Sequence, residues 1–415
     1  MNHPAVFLIF KIVMVAVLLS MQFFCYRSIS RHLKESNGSR ILRIGATVPF
    51  IMFNLPLIVF LFWIPKIIVA SRWLTYVCIY PFYLWHFSLF IVCLVLIVIN
   101  VPWLFLSGVV WGVRRIRHQR MPIHPRAGTP APIYDHRRRI FIRRGMTVLA
   151  GAALTGSTYG AFKKDRYELS EIPVPVLHLP ESFEGFSITL ISDIHSSVFM
   201  PKEKMEEYAR TVNALRSDLI TVTGDFVNSQ VDEVYPFAEA FEGLRAPHGV
   251  YGVLGNHDYY TRNVDVVARH VEDCGIKLLV NAGVAIRKGS ETIYLLGSDD
   301  IGTSARADAA FDTMLTGMKQ DVPKVLMCHR PYFFENAAHR GIGLTLSGHT
   351  HGGQIVFGRI NDNYISAARL ASPYIAGLYS IGAAKMYVSR GIGTVGVPIR
   401  INCPPEITKI VLTKA

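Results

Sequence analysis

The chain has 415 residues, with 43 Lys and Arg against 30 Asp and Glu and a net charge of +13, a length suited to more than one domain. The charge is uneven: residues 1–162 hold eighteen basic residues against only Glu35 and Asp135, a net +16, which leaves −3 on residues 163–415. Basic residues that flank apolar runs are a membrane-topology signal, and the acidic remainder offers no cationic face, so no nucleic-acid partner is expected.

In chain order, residues 5–25 are apolar apart from Lys11, and a second apolar run covers 44–65. A third, 73–113, is about twice the ~20 residues that one span needs and contains Pro81 and Pro102. It reads either as one span plus an interfacial segment or as a tight hairpin. Buried core helices are the alternative for such runs, but their length and lack of charge argue against it. Residues 114–144 hold ten Arg and one Asp, and 26–44 hold five basic residues and Glu35; both loops are therefore expected to be cytoplasmic. A weaker apolar run, 145–162, would then carry the chain out. These features suggest a multi-pass protein of a bacterial inner membrane with an extracytoplasmic C-terminal domain. Arg138-Arg139 precede the weak run and resemble a twin-arginine export signal, with ordinary positive-inside anchoring as the other reading. The expected organisation is a transmembrane region at 1–113 (about three spans), a basic linker at 114–144, a further span at 145–162, and a globular domain at 172–415.

The six cysteines show no zinc or disulfide spacing. Cys25, Cys78 and Cys93 read as small buried hydrophobes, while a disulfide among Cys274, Cys328 and Cys403 stays open. From about Ile172, short β-branched runs alternate with helical patterns. Strands are expected at 186–192, 218–223, 249–254, 277–280, 292–297, 324–328, 343–347, 386–390 and 408–413, with helices at 202–216, 264–274 and 305–319. The domain is thus α/β with one sizeable core.

The chemistry lies where strands end. Ser192-Asp193-Ile194-His195, Gly224-Asp225, Gly255-Asn256-His257-Asp258, His329 and Gly348-His349-Thr350-His351-Gly352-Gly353 each follow an expected strand, and sites in α/β sheets form beyond the carboxyl ends of strands. Carboxylate, imidazole and amide oxygen suit Mn²⁺, Fe, Zn²⁺ or Ni²⁺; no cysteine joins them, so this is not a structural zinc site. A single buried His is more often a satisfied core residue than a ligand, but that reading fails for five at once. Two metals about 3.5–4 Å apart could clamp a phosphoryl group during in-line attack.

The ordered pattern D-x-H, G-D, G-N-H-D, H and G-H-x-H resembles the calcineurin-like metallophosphoesterase superfamily. The longer string Gly348–Gln354, behind several apolar runs, is similar to a membrane-anchored subgroup related to UDP-2,3-diacylglucosamine hydrolase-like enzymes. The resemblance implies two packed mixed β-sheets flanked by helices. It also implies two divalent ions, one on Asp193, His195, Asp225 and His351, the other on Asp225, Asn256, His329 and His349, with Asp225 bridging. A hydroxide between them would attack, and His257 would protonate the leaving oxygen. In one respect the sequence departs from the superfamily's protein phosphatases. Their second motif reads G-D-x-V-D-R-G, whereas here Asn228 replaces the Asp that supports the catalytic His, and the phosphate-gripping Arg is missing. The protein-phosphatase reading is set aside, and another group must orient His257; the carbonyl oxygen of Asn228 is one option. Asp258 is expected to support its loop. Arg390, Gly391, Gly393 and Arg400 are candidates for phosphate or headgroup contact, with surface salt bridging as the plainer account, and Tyr259 and Tyr260 either line the pocket or pack.

The expected activity is hydrolysis of a phosphomonoester, phosphodiester or pyrophosphate. Tethering would concentrate the enzyme at the bilayer, which suggests a lipid-linked phosphoester; exported nucleotides are the other substrate class. The rival from another class is a membrane transporter or sensor with a regulatory phosphoesterase domain. The apolar runs offer almost no ionisable groups for it beyond Lys11 and His86.

Overall fold

Consecutive rather than alternating apolar residues mark the central strands of the C-terminal half, because those strands are covered on both faces. The structure, a computed structural model, describes residues 4–35, 39–54, 72–118, 136–360 and 363–415, and the chain divides into units Met1–Tyr159 and Gly160–Ala415.

In the second unit, β1 (Glu168–Val176), β2 (Ser187–Ile191), β3 (Leu219–Val222), β4 (Val250–Gly252) and β5 (Lys277–Leu278) form one mixed sheet with β14 (Glu406–Lys414), in the order β1-β14-β2-β3-β4-β5. The other sheet joins β6 (Ala282–Lys288), β7 (Glu291–Gly297), β8 (Lys324–Met327), β9 (Leu344–Ser347), β12 (Gly377–Ile381) and β13 (Ala384–Val388), in the order β12-β13-β9-β8-β7-β6. β2 to β5 run parallel, as do β7, β8, β9 and β13. The period of two along a strand sets the layers. On β8, Val325 and Met327 enter the core between the sheets, with Ile188, Leu190, Leu219 and Leu346. Leu326 and Cys328 face the other way, against Ala307, Phe311 and Met314 of helix Ser304–Leu315. On the first sheet, Ile220 and Val222 meet Tyr208, Val212, Phe237 and Val267 from helices Lys202–Ala214, Val234–Phe241 and Val264–Asp273. The result is helix, sheet, sheet, helix.

The elements that sequence patterning misses have local causes. β1 carries Pro173 and Pro175, which argue against a strand, yet it lies at a sheet edge and pairs only with β14, where missing N–H groups are tolerated. Helix Val234–Phe241 holds Pro236 in its first turn, a position where proline costs little.

In the first unit, helices cover Pro4–Glu35 and Arg40–Met52. Residues 72–118 form one unbroken helix with a π turn at Thr75–Ile79, so the hairpin reading of 73–113 does not hold. At 1.5 Å per residue this helix is about 70 Å long, over twice an apolar bilayer thickness of ~30 Å. Among the described residues, one stretch, Thr75–Val95, is long and apolar enough to cross a membrane. The run expected at 44–65 and the basic linker at 114–144 extend into residues outside the described ones. Helix His136–Lys163 covers the last apolar run. Gln22, Asn54, Trp85 and His86 form a hydrogen-bonded cluster: Gln22 Nε2 lies 2.6 Å from Asn54 Oδ1 and 2.8 Å from His86 Nε2, and Trp85 Nε1 donates to Gln22 Oε1. Such polar groups tie apolar helices together. All six cysteines are free, so no disulfide joins Cys274, Cys328 and Cys403. Cys78 is exposed, not buried; a helix of apolar sequence turns one side away from its protein neighbours.

The packing makes a direct prediction. Leu326 is fully buried beneath helix Ser304–Leu315, so Leu326→Ala should destabilise the second unit by about 2–5 kcal/mol. A urea titration of the detergent-solubilised chain, followed by tyrosine environment, should show the lower midpoint; an unchanged midpoint would contradict this packing.

Candidate metal centre and active site

The site is built by left-handed turns at strand ends. Asp193, His195, Asp225, His349 and His351 all have positive φ, between 49° and 71°, a region where each non-glycine residue carries strain of order 1 kcal/mol. The turns bring their side chains inward from β2, β3 and β9. Glycine is required where these turns press together. A Cβ on Gly255 would strike the Asp225 carboxylate, and one on Gly348 would strike Ser192 and Asp193.

All seven sequence-proposed ligands converge. On one side, His195 Nε2 and His351 Nε2 lie 3.0 Å apart, His351 Nε2 lies 3.5 Å from Asp193 Oδ1, and His195 Nε2 lies 3.5 Å from Asp225 Oδ2. On the other side, His329 Nε2 lies 3.3 Å from the same Asp225 Oδ2, 3.3 Å from Asn256 Oδ1 and 3.2 Å from His349 Nδ1. Asp225 thus belongs to both groups, and His349 and His351, two residues apart, serve different ones. His329 Nδ1 donates to the Thr223 carbonyl at 2.7 Å, which turns Nε2 toward the cluster.

The electrostatics fit a cation. Burial lowers His195 and His349 to about 3 and His351 well below the usual imidazole range, so all three keep free lone pairs at neutral pH. Burial also opposes charge on His329, but the facing Asp225 outweighs it and raises that imidazole to about 10. For Asp225 burial favours the neutral acid, yet His329 and His195 hold its carboxyl well below the ordinary range. Burial raises Asp193 to about 6. The pocket therefore draws a proton onto His329 to offset its carboxylates, a role that a divalent cation would take over. The facing Nε2 atoms of His195 and His351, with Nδ1 atoms that have no partner among the described residues, are a second mark of donors arranged for an ion. Carboxylate, imidazole and amide donors suit a borderline divalent metal.

His257 sits beside this cluster. Its ring is perpendicular to that of His195 at 4.6 Å, and Tyr260 packs on it at 4.7 Å. Nδ1 meets the backbone carbonyl of Asn228 at 2.5 Å, while the Asn228 side chain turns to Ser229 Oγ. The orienting group is therefore main chain, indifferent to the Asp-to-Asn change at position 228. Asp258 is fully buried and accepts from the N–H groups of Asp225, Phe226, Val227 and Gly255. Its role in loop support was legible, but its place at the centre of the Asp225 turn was not.

The arginines require correction. Neither Arg390 nor Arg400 is a surface residue or a free phosphate contact. Arg390 is buried and pairs at 2.8 Å with both Glu406 and Glu168. Arg400, 2% exposed, donates to the carbonyls of Gly393, Arg390, Gly391 and Cys403. Gly391 and Gly393 press on Asp193 and Ile194, so Arg400 braces the Asp193 turn from behind. Sequence spacing carries no signal for that role, because the partners are main-chain oxygens. Arg330 is held by Asp300 through two bonds of 2.6 and 2.8 Å, and Tyr259 donates to Asp299.

Comparison with known proteins agrees with the geometry. The family model described as "Calcineurin-like phosphoesterase" matches residues 186–353. A Bos taurus "Transmembrane protein with metallophosphoesterase domain" is 31% identical over 304 residues, covering 70% of this chain and 67% of that protein. A Danio rerio protein of the same name is 33% identical over 255 residues, covering 59% and 57%. A Bacillus subtilis metallophosphoesterase, YkuE, is 29% identical over 290 residues, covering 66% and 97%. The chain thus spans two thirds of the first of these relatives and little more than half of the second.

Two substitutions separate side chain from main chain around His257. Asp258→Ala strands four buried N–H donors and should cost about 3 kcal/mol or more, with loss of bound metal measured by elemental analysis. Asn228→Ala leaves the carbonyl in place, and turnover should stay within about twofold of the parent; a large loss would mean that the side chain does the orienting.

Proposed function

This chain belongs to the calcineurin-like phosphoesterase family and is a phosphoesterase, and from that premise we propose a membrane-anchored, two-metal enzyme that hydrolyses a lipid phosphodiester. The observation that carries the two-metal reading is the shared Asp225 Oδ2, 3.5 Å from His195 Nε2 and 3.3 Å from His329 Nε2. Asp193, His195, Asp225 and His351 would hold one ion; Asp225, Asn256, His329 and His349 would hold the other. When bound, such a pair supplies Lewis-acid polarisation of the phosphoryl oxygens and an activated water.

The chain's own residues do the rest. Asp225 sets the two halves of the site at one separation. Its Oδ1 accepts the His257 N–H at 2.8 Å, so the carboxylate also fixes the backbone of the proposed acid. With Nδ1 against the Asn228 carbonyl, His257 has Nε2 left to give a proton to the leaving oxygen.

Charge supports a diester. Arg330, Arg390 and Arg400 near the cluster are already engaged, so no guanidinium among them is available for a second phosphate charge. A diester brings one negative charge where a monoester brings about two. The membrane reading is supported by the apolar helix Thr75–Val95, by relatives named as transmembrane proteins, and by outward-facing Trp73, Phe105 and Trp111 in the first unit. The subgroup related to UDP-2,3-diacylglucosamine hydrolase-like enzymes fits this lipid reading and rests on the Gly348–Gln354 string together with the apolar runs that precede the domain.

The test uses the full chain in lipid nanodiscs with Mn²⁺, against lipid and nucleotide mono- and diesters. Lipid diesters should turn over fastest, and preference for soluble nucleotides would defeat the lipid assignment. His257→Ala should retain its metal content and lose roughly 10²–10⁴ in turnover. Loss of metal instead would make His257 a ligand, and unchanged turnover would remove it from the chemistry.

A further inference from the structure

Immediately after the turn that carries His351, the chain leaves both large sheets. β10 (Gly358–Ile360) and β11 (Asn363–Ile365) pair only with each other. They are followed by the turn Ala367–Leu370. A two-stranded ribbon is marginal by itself in water, and this one exposes its apolar residues. Phe357 is 62% exposed, Ile360 63%, Ile365 44% and Leu370 94%. Of the twelve large exposed hydrophobic residues described in Gly160–Ala415, these four fall within fourteen consecutive positions. Scattered surface leucines need no explanation, but a cluster does.

The segment is also joined to the metal centre. A Cβ on Gly353 would collide with Ser366 Oγ, and Thr350 Oγ1 donates to the Ile375 carbonyl. The His351–Gly353 turn therefore packs directly against the ribbon's far end. Two cations accompany the apolar residues. Arg359 lies over the Tyr364 ring at 4.2 Å, and Arg369 donates to the Pro373 carbonyl. Neither meets a carboxylate among the described residues. Apolar side chains beside two Arg and a Tyr ring form the pattern that binds the boundary between headgroups and acyl chains. The same chain carries an apolar helix long enough to span a bilayer, so a lipid surface is the partner that it brings with it.

We propose that residues 357–360 and 363–370 form a lipid-docking edge: Phe357, Ile360, Ile365 and Leu370 enter an anionic bilayer, Arg359 and Arg369 meet its phosphates, and the adjoining metal centre is thereby presented to lipid headgroups. This deepens the lipid-diester reading and rests on it for its purpose, but docking can be measured without any turnover.

The five native tryptophans all lie between Trp63 and Trp111, so Leu370→Trp places a single new indole in the second unit. The full-length variant and the parent are reconstituted in vesicles of phosphatidylglycerol and phosphatidylcholine with brominated acyl chains. The difference emission should be blue-shifted and quenched by bromine. Red-shifted, unquenched emission overturns the proposal, as does blue-shifted emission that bromine leaves untouched, since a protein partner would then cover Leu370. In parallel, the double variant Phe357→Asp, Leu370→Asp should hydrolyse vesicle lipid about tenfold or more slowly, two buried apolar anchors being lost. Its hydrolysis of soluble bis-p-nitrophenyl phosphate should match the parent. Equal loss on both substrates, or on neither, overturns the proposal. Bromine quenching in a parent that cleaves no lipid would leave docking in place and remove the lipid-substrate reading. Lipid cleavage without quenching would do the reverse.

Discussion

The Asp225 carboxylate is the constraint around which the site is arranged. It is buried, shared by two sets of imidazoles, and tied through its other oxygen to the His257 backbone. A buried carboxylate without compensation is expensive, and several neighbouring features answer that cost. Asp258 gathers the N–H groups of the Asp225 turn, so the main chain there is satisfied before the side chain is placed. Gly255 makes room for the carboxylate itself. Five residues of the cluster accept left-handed backbone, because only a sharp turn at the strand end points them inward. The two packed sheets provide the rigidity that makes such strain affordable.

Much of this was legible in the chain, for a physical reason. Ligands must be particular residue types, and strands covered on both faces must be runs of apolar residues. The two signals meet at the same places: β2 before Asp193, β3 before Asp225, β4 before Asn256, β8 before His329 and β9 before His349. What could not be read is what main-chain atoms do. A carbonyl of Asn228 was one option for orienting His257, but which of its two carbonyls meets the ring leaves no trace in residue identity; it is the main-chain one. Arg400 was equally opaque. A guanidinium satisfied by carbonyls of residues 390–403 has no partner that patterning could name. β1 was hidden by prolines that only an edge position excuses.

The first unit follows a different logic. Its helices are apolar on most sides, so hydrophobic periodicity cannot say which face meets protein. Polar residues say it instead. Gln22, Asn54 and His86 come from three separate stretches of sequence and find one another within a largely apolar set of helices. This use of His86 as interhelical glue also weakens the transporter reading. A residue committed to two structural partners, Gln22 Nε2 and the Phe82 carbonyl, is poorly placed to relay an ion.

One asymmetry in the catalytic unit links its charge to its substrate. Basic side chains are not scarce around the cluster, yet Arg330, Arg390 and Arg400 are each consumed in holding loops. The mouth of the site is furnished with Tyr260 and Tyr332, the latter edge-on to His349 at 5.4 Å. Positive charge for a phosphate must then come from the ions that the ligands are arranged to hold. With ions bound, a site of this kind would give one phosphoryl group strong electrostatic support and a second almost none. Under the proposed function, aromatic rings beside the cluster would favour an uncharged or apolar leaving group over a polyphosphate chain. In the proposed docking, the apolar ribbon that follows His351 would extend that preference outward. The proposed selection for weakly charged, lipid-like esters would thus begin at the membrane surface and end at Asp225.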